Sequence, residues 1–417
     1  MSWQGLGLGD DLLRAVAALG WGAPTPVQAA AIPAALGGSD LWASAKTGSG
    51  KTAAFVLPVL QRLTVEPRSQ GRGSHRGQTT LVLVPTRELA AQIAGVVDDL
   101  ARDIGGPVKT CVAVGGLSIN PQMLALRGGA DLLVATPGRL LDLVDHNAVH
   151  LGDVTTLVLD EADRLLSLGF GAELERICAL LPARSQKLLF SATFPPAVRV
   201  LAQQLLHQPI AINVDAGALP DASAIAQRAI EIDEARRGPL LRQLLQTHAW
   251  SSVLVFVASQ HATDHVVDKL GRAGIAAAGL HGGLSQGARA QALADLKAGR
   301  LQVLVATDLA ARGLDIGALA AVVNYDLPRS PVDYLHRIGR TGRAGETGVA
   351  VSFITAATSA HFDLITRRHN LSIDREIVPG LEPTDPPVAR DHAMGGVKGK
   401  RKSKKDKLRE AAARNRG

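Results

Sequence analysis

Short apolar runs recur along this chain, separated by longer stretches with helical patterning. Leu81–Val84, Leu132–Ala135, Leu157–Leu159 and Leu188–Phe190 make one series, and Val253–Val257, Val303–Ala306 and Ala321–Val323 make a second. A strand with one face in water alternates apolar and polar residues. A strand that is apolar throughout is buried on both faces, as parallel strands are when helices cover both sides of their sheet. The chain is therefore expected to be α/β, with two parallel sheets each covered by helices. Its 417 residues suffice for two to three domains, and 46% apolar with 20% charged residues suits packed cores. Val214–Ala224 is small-residue and turn-rich and falls between the two series, so it is read as a linker between domains at 1–213 and 225–380. Glu66–Gln78 is rich in Gly, Ser and Arg and is read as an exposed loop. From 381 the chain turns Pro-rich and then Lys/Arg-rich, and a disordered basic tail is expected over 381–417.

The run Leu157-Val158-Leu159 leads straight into Asp160-Glu161-Ala162-Asp163. A buried parallel strand that ends in carboxylates places them at the sheet's carboxyl edge, where ligands bind. One carboxylate there can hold Mg²⁺ and its neighbour can orient an attacking water. Alone, the tetrapeptide describes a solvated helix start equally well. Upstream stands Ala45-Lys46-Thr47-Gly48-Ser49-Gly50-Lys51-Thr52, preceded by Leu41-Trp42-Ala43 and followed by the apolar stretch Ala53–Leu60. This reads as strand, small-residue loop and helix start. Glycines let backbone N–H groups approach phosphate oxygens, and the helix N-terminus adds partial positive charge. Lys51 is placed to reach β/γ-phosphates and the Thr52 hydroxyl to touch Mg²⁺. The general phosphate-loop pattern asks for glycine where Ala45 stands. Together the two segments point to nucleotide hydrolysis.

No second loop of this kind follows residue 220. Instead His336-Arg337-Ile338-Gly339-Arg340-Thr341-Gly342-Arg343 gathers three arginines and a histidine. An arginine supplied across a cleft to a transferring phosphoryl group is worth on the order of 10³–10⁵ in rate. A surface basic patch is the plainer alternative.

In their order, these segments resemble the motifs of the DEAD-box RNA helicases of superfamily 2, and the resemblance covers nearly all of residues 1–380. Gly20-Trp21-Gly22-Ala23-Pro24-Thr25-Pro26-Val27-Gln28 is similar to the family's Q motif. The resemblance implies two tandem RecA-like domains, ATP and Mg²⁺. It implies that Gln28 reads the adenine edge, with Thr25 and Trp21 beside it, which favours ATP over GTP. Trp21 stands where the family often has Phe or Tyr, and Trp3 where it has Phe, so stacking should survive. Ala45–Thr52 is similar to motif I, Ala45 included, and assigns Ala45, Thr47, Gly48, Ser49, Gly50, Lys51 and Thr52 to the nucleotide. Asp160–Asp163 resembles motif II and Ser191-Ala192-Thr193 motif III. The implied roles are Mg²⁺ for Asp160 with Thr52 and the hydrolytic water for Glu161. Asp163, Ser191, Thr193 and His336 are implied to couple hydrolysis to closure. His336–Arg343 resembles motif VI, with Arg340 and Arg343 as fingers. Ala306–Asp315 resembles motif V, which sets Asp315 near the ribose and Thr307 and Arg312 toward RNA or the cleft. His281–Arg289 is similar to the family's Gln-x-x-Arg element, Gln286 and Arg289. Pro85–Ala90 with Arg87, Gly115-Gly116, and Thr136-Pro137-Gly138-Arg139 resemble the segments that hold the RNA backbone.

Aromatic residues are only 3% of the chain, so base-stacking platforms are scarce and contact should run through phosphates and sugars. A preference for RNA through its 2′-OH groups rests on the family. Of 45 Lys/Arg and 38 Asp/Glu, ten and three lie in 391–417, which leaves residues 1–390 balanced at 35 each. The basic excess is a tail property that suits a polyanion, or simply a solubilising end. Cys111 and Cys178 give no metal or disulfide framework, no export signal or membrane span is evident, and a monomer in the cytoplasm is expected. Similarity to bacterial members implies ribosomal precursors or RNA-decay complexes as partners. The leading reading is an RNA helicase acting locally and non-processively. An ATP-gated RNA clamp or ribosome-assembly scaffold uses the same residues, and a DNA translocase is a third reading.

Overall fold

A computed structural model describes residues 2–45, 48–65, 80–104, 107–214, 225–311, 319–342 and 348–384. The loop expected at 66–78, the linker beyond Val214 and the tail beyond Thr384 lie outside the described residues.

The first half forms a sheet of seven strands: β1 (Leu41–Ser44), β2 (Thr80–Leu83), β3 (Thr110–Ala113), β4 (Leu132–Ala135), β5 (Thr156–Leu159), β6 (Gln186–Ser191) and β7 (Ile210–Asn213). Their order is β3-β4-β2-β5-β6-β1-β7, and every pairing is parallel. The second half adds β8 (Ile225–Glu231), β9 (Val253–Val257), β10 (Ala277–Leu280), β11 (Val303–Thr307), β12 (Ala321–Asn324), β13 (Gly348–Ile354) and β14 (Arg375–Glu376). Their order, β10-β11-β9-β12-β13-β8-β14, repeats that of the first sheet strand for strand, again all parallel. The expected pair of helix-covered parallel sheets is present.

The unbroken apolar runs have a direct cause. Val82, Val84, Val134 and Val158 enter one core, with the helices Pro26–Leu36, Lys51–Val65 and Arg87–Ala101. Their neighbours Leu81, Leu83, Leu133, Leu157 and Leu159 enter the opposite core, with the helices Pro137–Asp145 and Gly171–Leu180. Successive side chains of a strand point to opposite faces, so two cores require apolar residues at every position. Truncating one such leucine to alanine costs about 2–5 kcal/mol. In the second half Val253, Val255 and Val257 face one core and Leu254 and Phe256 the other. At the rims the demand lapses: β7 exposes three of its four residues, and β3 alternates. Among the described residues, no helix is long and apolar enough to cross a membrane.

Candidate functional site

The expected nucleotide residues gather where β1, β5 and β6 end. Helix Lys51–Val65 starts directly after the loop that leaves β1, and Gly48 and Gly50 take left-handed φ values of 83° and 89°. Ala45 N–H donates to the Ser191 carbonyl at 3.1 Å, which fastens the loop's first residue to β6. Lys51 is 7% exposed, and its Nζ is buried without a hydrogen-bond partner. A buried ammonium left unpaired is costly, and phosphate oxygens are the acceptors that would satisfy it. Asp160 follows β5. Its carboxyl is pushed up to about 6, first by burial, with Lys51 pulling it down and Glu161 adding to the rise. A divalent cation would relieve that penalty. Glu161 sits at φ 53°, ψ 52°, left-handed for a residue with a side chain, at the start of helix Ala162–Ser167. Such backbone costs on the order of 1–3 kcal/mol and clusters at functional sites. Its Oε2 is buried without a hydrogen-bond partner, with Arg164 Nη1 at 3.8 Å.

These groups line a cleft of about 430 Å³ with Thr52, Thr25, Gln28, Trp3 and Trp21. The rings of Trp3 and Trp21 lie 6.3 Å apart, tilted by 37°, and Trp3 Nε1 donates to the Gly22 carbonyl. Gln28 Oε1 accepts from Thr25 N–H at 2.8 Å, and Gln28 Nε2 donates to the Gly50 carbonyl at 3.1 Å. Gln28 thereby ties the tryptophan segment to the phosphate loop. Thr25 Oγ1 is buried without a hydrogen-bond partner.

The second half closes this cleft. Arg340 lines it beside Asp160 and Glu161. Asp163 Oδ2 accepts from Thr193 N–H at 3.1 Å and from Thr193 Oγ1 at 2.6 Å, while Asp163 N–H donates to Ser191 Oγ at 3.2 Å. His336 lies within electrostatic reach of Asp163, Glu161 and Arg340, and burial depresses its pKa. The four residues expected to couple the halves are thus in one neighbourhood. Ser49 belongs to the described loop; Thr47, Asp315, Arg312 and Arg343 lie outside the described residues.

Three further strands of the first sheet, β2, β4 and β3, carry the expected RNA residues at the same carboxyl edge. Gly116 has φ 72°, and the Arg87 guanidinium lies where a side chain at Gly116 would stand, its Cζ 2.7 Å from that position. Gly115 N–H donates to Thr136 Oγ1 at 3.3 Å. Gly138 follows in the first turn of helix Pro137–Asp145. Arg139 is 9% exposed and donates from Nη2 to the Leu117 carbonyl at 2.8 Å, while its Nε and Nη1 have no hydrogen-bond partner. Thr307 ends β11, and Gln286 starts helix Gln286–Lys297 with a buried, unpartnered Oε1. Arg289, the other expected RNA residue of this element, faces the first half. It is 5% exposed, and its Nη2 meets Glu88 Oε1 of the first half at 2.8 Å.

Two residues of consequence escaped the sequence reading. Glu88 was visible only as a neighbour of Arg87, and its partner stands in the other half. Arg337 looked like one more arginine of a basic segment, yet it is 3% exposed and clamped by both carboxylate oxygens of Asp308 at 2.6 and 2.7 Å.

Residues 25–201 match the DEAD/DEAH box helicase family model, and residues 237–345 match the helicase conserved C-terminal domain. The DEAD-box ATP-dependent RNA helicase CshA of Bacillus subtilis is 37% identical over 92% of this chain and 75% of its own length. The rice DEAD-box ATP-dependent RNA helicase 28 is 41% identical over 90% of this chain, which spans only 46% of the rice protein. Among solved structures, Saccharomyces cerevisiae Dbp5 bound to RNA and ADP BeF3 matches with a TM-score of 0.77 and 32% identity, over 92% of this chain and 96% of that one. A DEAD box protein from Methanococcus jannaschii matches with a TM-score of 0.51 and 34% identity, over 90% and 99%.

Proposed function

The chain belongs to the DEAD/DEAH box helicase family, and from that premise we propose that it couples RNA-stimulated ATP hydrolysis to local, non-processive unwinding or remodelling of RNA. One observation carries the reading: Arg340 of the second half lines the cleft that holds Lys51, Asp160 and Glu161 of the first. A site divided in this way turns over only when the halves close.

Lys51 and the backbone of the glycine loop hold the phosphates of ATP. Asp160 and Thr52 would hold Mg²⁺, whose charge neutralises the phosphoryl oxygens. Glu161 orients the attacking water, and Arg340, with Arg343, stabilises the charge that develops on transfer. Trp21 and Gln28 receive the base, and Asp315 the ribose. RNA runs along the carboxyl ends of β2, β4 and β3, held through its backbone by Arg87, Gly115, Gly116, Thr136, Gly138 and Arg139. Gln286, Thr307 and Arg312 extend that path from the second half. ATP and RNA each favour the closed form, so each tightens the other. Unstacking costs a few kcal/mol per step, so one closure separates only a short duplex. The likeness to the yeast chain bound to RNA and ADP BeF3 supports RNA and a nucleotide as ligands here. The proposal extends to ribosomal precursors and RNAs entering decay, with the protein acting as a cytoplasmic monomer.

A clamp or assembly scaffold that holds RNA without separating strands is the second reading. The buried Glu88–Arg289 pair favours it, because it joins the halves without hydrolysis.

The test is ATP hydrolysis with and without single-stranded RNA, against single-stranded DNA, with Glu161→Gln as the blank. Stimulation by RNA alone supports the coupled ATPase, and equal rates without RNA count against it. Separation of a short duplex, but not of a blunt duplex of roughly 50 base pairs, distinguishes local unwinding from both clamping and translocation.

A further inference from the structure

Because the second sheet repeats the strand order of the first, three walls of the nucleotide cleft have counterparts in the second half. They are the helix after β1, the helix after β2 and the residue after β5, whereas the wall of Trp3, Trp21 and Gln28 has none. The three counterparts are helix Arg237–His248 after β8, helix Gln260–Arg272 after β9, and Tyr325 after β12. These three elements enclose a second pocket, of about 330 Å³. The correspondence reaches single positions. Val96 and Lys269 are each the tenth residue of their helices, and each lines its pocket. Asp160 and Tyr325 each directly follow their strand, and each lines its pocket too.

The place is the same and the chemistry is not. No glycine loop precedes the helix after β8; Glu234–Arg236 form a turn of 3₁₀ helix instead. Tyr325 stands where the first half has Asp160. Asp326, the counterpart of Glu161, is spent on Arg237 Nη1 at 2.6 Å and on Ala258 N–H at 2.8 Å. What the pocket offers is positive charge above an apolar floor. Arg242, Lys269 and Arg272 line it, over the buried Leu241 and Leu270. Arg272 is paired with Asp268 at 2.7 Å, while Arg242 and Lys269 have no carboxylate partner among the described residues. Tyr325 is 8% exposed, and its hydroxyl makes no hydrogen bond among the described residues. Burial keeps that hydroxyl protonated, hence a donor. A hydroxyl donor without an acceptor, beside two exposed cations that lack carboxylate partners, gives an oxyanion its contacts at the pocket.

We infer that this pocket binds a phosphomonoester of mononucleotide size, without a divalent metal and without turnover. The cations of Arg242 and Lys269 meet the phosphate, the Tyr325 hydroxyl donates to the ligand, and the apolar floor receives its base or sugar. The absence of an available carboxylate at Tyr325 and Asp326 is what separates this site from the catalytic one.

The probe is AMP, added to the full chain in excess EDTA, with hydrogen exchange read over 237–248 and 260–272. Protection of both segments is expected, with AMP affinity reduced roughly tenfold or more in Lys269→Glu while Mg²⁺-dependent ATP hydrolysis is unchanged. Inorganic phosphate should protect the same segments more weakly, since it leaves the apolar floor empty. Protection confined to 48–65, no protection, or equal AMP affinity in Lys269→Glu would overturn the assignment.

Discussion

Glu88 Oε1 and Arg289 Nη2 lie 2.8 Å apart, one from each half of the molecule, on side chains only 8% and 6% exposed. The contact is an ion pair rather than an aligned hydrogen bond, since Glu88 Oε1 has no hydrogen-bond partner. Burial lowers the pKa of Arg289, with Glu88 opposing the shift and Arg87 adding to it. Both charges regain water when the halves part. The pair therefore acts on closure and not on the folding of either half.

Arg289→Met strands the Glu88 carboxylate in the closed interface, a penalty of about 3 kcal/mol or more. RNA-stimulated kcat/KM is expected to fall roughly 10²-fold, with the melting temperature moved by no more than about 2 °C. Combining Arg289→Met with Glu88→Met should cost less than the sum of the two. Additive losses in that double-mutant cycle would show that the pair is not the link.

Gly50 is fixed in its identity by Gln28. Its φ of 89° suits glycine, and a Cβ there would collide with Gln28 Nε2 and stand 3.1 Å from Gln28 Cδ. Gly50→Ala adds about 1–2 kcal/mol of left-handed strain and pushes Gln28 off the Gly50 carbonyl. ATP affinity, read by titration of a fluorescent analogue, should drop at least about tenfold. Unchanged affinity would mean that the loop rearranges around the methyl group.

How much could be read in advance depended on how local the chemistry was. The runs at β2, β4, β5, β9, β11 and β12 were visible because Leu81 and Val82, like Val253 and Leu254, feed opposite cores. β13 is interior but carries Gly348 and Ser352, and β7 and β14 lie at the outer rim, so no unbroken run marks them. The phosphate loop and Asp160–Asp163 each announce themselves within eight residues or fewer. Arg289 and Arg337 do not, because their burial is decided by Glu88 and Asp308, which are remote in sequence. Nor does the second pocket, since the likeness of Tyr325 to Asp160 lies in strand order and not in residue type.

The pH dependence follows from Asp160. Its carboxyl rises from 3.8 to about 6, chiefly by burial. Between roughly pH 4 and 6 the folded chain keeps a proton that the unfolded chain has released. This group's contribution to stability therefore falls as pH rises through that window, and its cost is complete above 6. Activity is expected to have the opposite sign, because the proposed Mg²⁺ site needs the carboxylate. At limiting Mg²⁺, ATP hydrolysis should fall as pH drops through about 6, and more Mg²⁺ should move that limb to lower pH. His336, held neutral by burial, adds a loss in acid that Mg²⁺ does not shift. Profiles at two Mg²⁺ concentrations separate the two. A limb that stays wholly in place would exclude Asp160 as the titrating ligand.

Arg337 and Arg340 lie three residues apart, 3% and 5% exposed, and one substitution should part their roles. Every nitrogen of Arg337 is engaged inside the second half. Nε and Nη2 hold Asp308, Nη1 donates to Asn324 Oδ1 at 3.0 Å and to the Asp326 carbonyl at 2.6 Å, and the guanidinium lies 4.7 Å over Phe256. Arg340 lines the cleft beside Asp160 and Glu161. Arg337→Met should destabilise the second half by about 2–3 kcal/mol, short of the full cost of a broken buried pair because Asp308 is 24% exposed to screening water. Arg340→Met should leave the melting temperature in place and reduce kcat on the order of 10³-fold, with ATP affinity within about threefold. Thermal unfolding and single-turnover hydrolysis on the same two preparations read both effects. If Arg340→Met unfolds as early as Arg337→Met, the Arg340 guanidinium is structural. If it folds and still turns over, the charge on the transferring phosphoryl group is met by another residue.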